Sequence, residues 1–108
     1  MSDETPFMRQ YKALKRESPV GSILLVEMGD FYEAFGEDAV RLAPIFGTAL
    51  TRRGGVPMTG LPRWWIYERM YSLPASGSIF ALAETVEFTK RGLCSREIVR
   101  VVKGGPRE

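Results

Sequence analysis

A chain of 108 residues, 44% hydrophobic and 26% charged, lies near globular averages and is long enough for one modest core but not for a second domain. With no histidine and only Cys94, the usual zinc sets, His-based catalytic triads and an internal disulfide are excluded. A formal charge of +2 is too small to argue for nucleic acid by itself, no apolar stretch approaches the roughly 18 residues of a membrane span, and the start Met1-Ser2-Asp3-Glu4 is acidic where a secretory leader is basic, so a cytoplasmic protein is expected.

In chain order, Thr5 is expected to cap a helix from about Pro6 to Glu17, because Pro suits the first helical position and Ser18-Pro19 ends the run. Ile23-Leu24-Leu25-Val26-Glu27-Met28 is the kind of apolar run that suits a strand buried on both faces. Strands are therefore predicted near 22–28 and 31–35, punctuated by Gly29-Asp30. A second helix is predicted from about Gly36 to Phe46, with Val40, Leu42, Ala43 and Phe46 as its apolar residues and Gly47 as its stop. Ala49-Leu50-Thr51 begins a short third strand, and Arg53-Gly54-Gly55-Val56-Pro57 turns into a loop.

Ile66, Met70 and Leu73 then recur at helical spacing, predicting a helix near 63–73 that Pro74 and Gly77 end. Strands follow over Ser78 to Glu84 and Ile98 to Val102, joined by a polar loop over 87–96, with a frayed tail from Gly104 to Glu108. The alternation predicts a single small α/β domain: a mixed sheet of about five to six strands with three or so helices packed on it.

The segment Met28-Gly29-Asp30-Phe31-Tyr32-Glu33 carries the most chemistry. If 31–35 is extended, Phe31 and Glu33 point to one face, roughly 6.5–7 Å apart at two strand rises, and Tyr32 to the other. Spacing alone leaves two readings open. A stacking ring beside a hydrogen-bonding carboxyl reads a nucleobase, or Phe31 is core and Glu33 a solvated edge charge. Among the cations, Arg9, Lys12 and Arg16 recur as the solvated face of the first helix, with Lys15 alongside. Lys90, Arg91, Arg96, Arg100, Lys103 and Arg107 enrich the C-terminal third, and Arg52-Arg53 beside Gly54-Gly55 is the better phosphate candidate.

A longer pattern surrounds this motif. Thr5-Pro6-Phe7-Met8-Arg9-Gln10-Tyr11, Met28 to Phe35, Glu37-Asp38-Ala39, Leu50-Thr51-Arg52-Arg53-Gly54, Pro57-Met58-Thr59-Gly60-Leu61-Pro62, Glu84-Thr85-Val86-Glu87 and Arg96 to Val102 follow one another in the order of a known family. Together they resemble the N-terminal mismatch-recognition domain, domain I, of the MutS family of DNA mismatch repair proteins. The resemblance covers nearly the whole chain, with a core over 5–103.

It implies a mixed-sheet α/β fold and a non-enzymatic, nucleoid-associated DNA-binding module with no cofactor and no metal, whose partner is double-stranded DNA carrying mismatches or small bulges. It implies that Phe31 is the wedge that enters the minor groove and stacks on a mispaired or unpaired base, and that Glu33 hydrogen-bonds the displaced base. By the same matching, Met28 and Asp30 flank the wedge, while Arg52, Arg53 and Met58 belong to neighbouring DNA-contacting segments. Met28 and Met58 also read as packing residues and Asp30 as a turn residue.

Departures from the family pattern are equally specific. The loop between Gly54 and Pro57 is cut to Gly55-Val56, and Arg63-Trp64-Trp65 stands where an aromatic and a histidine are usual. Two adjacent tryptophans on a helix cannot both face the core, so Trp64 or Trp65 is expected to be free for a protein partner or for base stacking. Complete family members continue into connector, lever, clamp and ATPase regions, and these residues contain no G-x-x-x-x-G-K-[ST] phosphate loop. A stand-alone recognition module is the expectation, with an excised domain as the alternative. The rival function is a protein-interaction or regulatory module that binds a mismatch repair or DNA-processing protein through Trp64 and Trp65. A nuclease built on Asp30, Glu33, Glu37 and Asp38 is disfavoured, since the last two read as a helix N-terminus.

Overall fold

The computed structural model describes residues 4–68, 77–88 and 94–103. Helix α1 (Pro6–Glu17) starts where expected: the Thr5 hydroxyl accepts from the Met8 N–H at 3.1 Å, and Ser18 closes the last turn. Strands β1 (Ile23–Met28) and β2 (Phe31–Phe35) form a hairpin, and helix α2 (Glu37–Phe46) follows. Strand β3 (Thr51–Arg53) and strand β4 (Val56–Pro62) form a second hairpin, helix α3 spans Arg63–Glu68, and β5 (Ile79–Phe88) pairs with β6 (Cys94–Lys103).

These strands make one six-stranded sheet in the order β3-β4-β2-β1-β5-β6. It is mixed, as expected: β1 and β5 run parallel and every other neighbouring pair is antiparallel. Ile23 to Val26 are fully buried because β1 lies centrally with helices on both of its faces. One face carries Ile23, Leu25, Tyr32, Leu61, Phe80 and Leu82 against α2 and α3. The other carries Leu24, Val26, Phe35, Ala81 and Ala83 against Tyr11 and Leu14 of α1.

A buried polar knot joins α1, α2 and the sheet. Tyr11 Oη lies 2.9 Å from both the Leu24 carbonyl and Asp38 Oδ2, and accepts from the Phe35 N–H at 3.1 Å. Asp38 also pairs with Lys15 at 2.8 Å. Burial first, then the facing Asp38 carboxylate, pushes the Tyr11 phenol well above its ordinary value and keeps it protonated. Asp38 and Glu37 do sit in the first turn of α2, and no cluster of metal-ligating side chains occurs among the described residues.

Three expectations are corrected. The stretch after Gly54-Gly55 is not a loop but β4, hydrogen-bonded to β3 on one side and β2 on the other. Its prolines lie near its ends, where a missing N–H costs the ladder least. The polar loop expected over 87–96 is shorter, because β5 and β6 continue their pairing out to Phe88 and Cys94. Solvent-exposed ribbon needs no apolar alternation, so composition there is silent about strand structure. The third strand, expected to begin over Ala49-Leu50-Thr51, starts at Thr51 and runs to Arg53. Ile66 is buried as expected, whereas Met70, Leu73 and the tail from Gly104 lie outside the described residues.

Candidate nucleic-acid interface

The β1–β2 connection is a two-residue turn, with Met28 paired to Phe31 across it. Gly29 has φ +60° while Asp30 keeps a negative φ, the arrangement of a type II′ hairpin, whose first position glycine alone adopts cheaply. Phe31 therefore stands at the tip of a tight, twisted hairpin. Asp30 is exposed beside it, and its backbone carbonyl accepts the Arg63 N–H at 2.8 Å.

Register decides which side chains share a face, because directly paired residues project to the same side of a sheet. Phe31 pairs with Pro62, Glu33 with Gly60, and Phe35 with Met58, while Met58 pairs with Thr51 and Val56 with Arg53. Met28, Phe31, Glu33, Arg53 and Met58 thus occupy one face, the face that α1 covers only in part. Arg52 faces the other way, its guanidinium donating to the Gly55 carbonyl at 3.1 Å.

Helix α1 closes one end of this face and leaves the other open. Phe35 is packed edge-on against Phe7 and Tyr11, with ring centroids 5.1 and 5.3 Å away. Phe31, four residues earlier on the same face, is 44% exposed. From Phe31 and Glu33 a groove of about 300 Å³ runs over Gly60 to Thr51 and Met58. A Cβ built at Gly60 would lie 3.3 Å from Glu33 Cγ and from the Tyr32 carbonyl, and 3.8 Å from the Phe31 ring. Glycine at 60 is what lets the ring and the carboxyl lie side by side against β4.

Glu33 is not a solvated edge charge. It is 7% exposed and gripped by Arg53, with Nη1–Oε1 at 2.9 Å and Nη2–Oε2 at 3.4 Å. The same guanidinium sits 5.9 Å from the centroid of the Phe35 ring. One side of Arg53 thus rests on the closed, aromatic end of the face, and its fork holds the carboxyl at the open end.

Several other cations are committed to structure. Lys15 contacts Asp38 and the Ser22 carbonyl, and Lys12 pairs with Glu4. Arg96 donates to the Glu27 carbonyl at 3.0 Å and to Gln10 at 2.7 Å, and contacts Met28 Sδ at 3.2 Å. Met28 is accordingly half-buried, with its sulfur engaged. The two tryptophans separate: Trp65 packs edge-on against Phe46 at 5.2 Å, whereas Trp64 is 61% exposed.

Sequence reasoning missed Gly60 and the Glu33–Arg53 pair. Gly60 lies inside one of the motif blocks, and an isolated glycine in a strand pattern is a sign of close approach. The ion pair had no such sign, since its partners are 20 residues apart and meet only through β4, which lies between their strands.

Comparison with known proteins follows the same residues. The family description MutS domain I matches residues 5–106. The DNA mismatch repair protein MutS of Desulfitobacterium hafniense is 43% identical over 108 residues, covering 94% of this chain and 12% of that protein. Its namesake in Petrotoga mobilis is 37% identical over 107 residues, covering 97% of this chain and 13% of that protein. That of Treponema pallidum is 34% identical over 106 residues, covering 97% and 12%. The chain spans about an eighth of the length of these relatives, 12–13%. Matched over nearly all of its residues, and folded as a mixed sheet with the aromatic hairpin at its open end, the chain belongs to the MutS domain I family.

Proposed function

We propose that this chain is a non-enzymatic DNA-binding module that recognises mispaired and unpaired bases, with Phe31 as the wedge and Glu33 as its hydrogen-bonding neighbour. The observation that carries the reading is a half-exposed phenylalanine at a tight hairpin tip, on the same face as a buried carboxyl. Entering the minor groove, the ring unstacks a base step at a cost of a few kcal/mol. A mismatch or bulge has already lost part of its pairing and stacking, so the same insertion is cheaper there. Discrimination then comes from deformability more than from base identity.

Glu33 would be repelled by nearby phosphates if it arrived bare. Arg53 offsets that charge in the free protein, and its other contact, an aromatic face, leaves the guanidinium free to swing toward the groove as the carboxyl turns to the base. Minor grooves attract guanidinium, which gives the exchange a direction. Met28 and Met58 pack beside the wedge on the same face, Asp30 shapes its turn, and Arg52 reaches phosphate from the flank of the hairpin.

Fluorescence anisotropy at low salt with matched, G·T-mismatched and single-base-bulge duplexes tests this. The wild type binds the defective duplexes better, and Phe31→Ala loses that preference by roughly tenfold or more, the scale of one lost base–aromatic stack. Equal binding to all three duplexes by the wild type would sink the reading. The exposed Trp64 favours a second reading, a module that docks a repair or DNA-processing protein. That reading gains if Trp64→Ala loses an activity that Phe31→Ala keeps.

A further inference from the structure

The residues that depart from the family pattern after Pro62 fold into a defined feature beside the wedge. Pro62 is the register partner of Phe31. Arg63 then ties the start of α3 to the β1–β2 hairpin three ways. Its N–H donates to the Asp30 carbonyl at 2.8 Å, and its guanidinium donates to the Gly29 carbonyl at 3.2 Å and pairs with Glu27 at 2.9 Å. These contacts hold α3 against the hairpin that carries Phe31.

Successive helix residues point about 100° apart. Trp65 is turned in against Phe46 and Ile66 is fully buried, so Trp64 is turned out. It does not point into open solvent alone. Phe31, Asp30, Pro62, Arg63 and Trp64 line an open cleft of about 580 Å³.

We propose that Trp64 is a second aromatic contact of the DNA interface, stacking on a nucleobase unstacked beside the step that Phe31 opens; this rests on the reading of Phe31 as the wedge. The cleft and the groove over Gly60 share Phe31 as a lining residue, and two rings with one guanidinium are the chemistry of a base-stacking platform. A flat protein surface fits it less well, because Asp30 and Arg63 would have to be desolvated at its rim.

The chain has two tryptophans, Trp65 partly buried against Phe46 and Trp64 exposed, so the quenching that Trp64→Phe removes is the part that reports on Trp64. In the 108-residue chain, the bulged duplex quenches tryptophan emission more than the matched duplex does. Trp64→Phe abolishes that quenching while still binding. Trp64→Ala, with an unchanged melting temperature, weakens binding to the bulged duplex by about tenfold, and to the matched duplex less.

Equal quenching by both duplexes, or a Trp64→Ala variant that binds the bulge as the wild type does, overturns the proposal. If Phe31→Ala still loses defect preference in that same experiment, the wedge reading stands and only Trp64 is removed from it. If the wild type shows no defect preference at all, both fall.

Discussion

Phe31 and Phe35 are the same residue type on the same face of the same strand, yet one is 44% exposed and the other 3%. The difference is not local. Phe35 lies under α1, where Phe7 and Tyr11 complete an aromatic cluster, and Phe31 lies beyond the reach of that helix. Exposed apolar rings are unremarkable singly, but a ring fixed at a glycine hairpin, beside a carboxyl held by an arginine, has been left uncovered in a geometry that suits a ligand. One end of the face is packed and the other is bare.

Truncation separates the two ends most sharply. Phe35→Ala is expected to cost about 3–5 kcal/mol in chemical denaturation, as for a phenylalanine removed from a packed core, and Phe31→Ala under about 1 kcal/mol. A comparable loss for both would erase the distinction.

Alkaline titration addresses the closed end alone. The Tyr11 phenol is raised by folding, so its contribution is fully present below the unfolded value near 10 and is lost as pH climbs from there toward the folded value. Stability followed by urea denaturation falls above about pH 10, and Tyr11→Phe makes that fall shallower.

Gly60→Ala probes the open end. The added methyl meets the Tyr32 carbonyl, which is backbone and cannot turn aside, and Glu33 Cγ. The expected outcome is a loss of about 1 kcal/mol in stability and a severalfold drop in preference for bulged over matched duplex, read by anisotropy. The smallest effect belongs to the bridge between the ends. Arg53 is half exposed, so Arg53→Met is expected to cost under about 1 kcal/mol of stability. In DNA binding it is expected to lower the slope of log affinity against log salt by about 1. A slope unchanged in Arg53→Met removes the guanidinium from the interface.

Much of the fold was legible because its signals are local. Thr5, Pro6 and Ser18 punctuate α1, the apolar run 23–26 marks a strand buried on both faces, and Gly29-Asp30 marks the break between β1 and β2. Strand β4 was illegible. Pro57, Gly60 and Pro62 read as breakers, and the segment is a strand because β2 and β3 supply hydrogen-bond partners on both sides. The outer parts of β5 and β6 were hidden for the opposite reason, since side chains in solvent carry no burial pattern. Within the site, the shared face of Phe31 and Glu33 followed from alternation, whereas which of Trp64 and Trp65 turns outward did not.

The sequence by itself determined the order of the elements other than β4, the break at Gly29-Asp30 before Phe31, the ring and carboxyl on one face, and the motif blocks that mark the MutS domain I family. Only the tertiary structure decided that Phe35 is covered and Phe31 bare, that Arg53 closes on Glu33, that Gly60 floors the groove, and that Trp64 rather than Trp65 stands exposed beside Phe31. Periodicity encodes which way a side chain points along its own strand or helix. What it meets there depends on the register of strands distant in sequence and on where a helix ends above the sheet, and neither is written in any local run of residues.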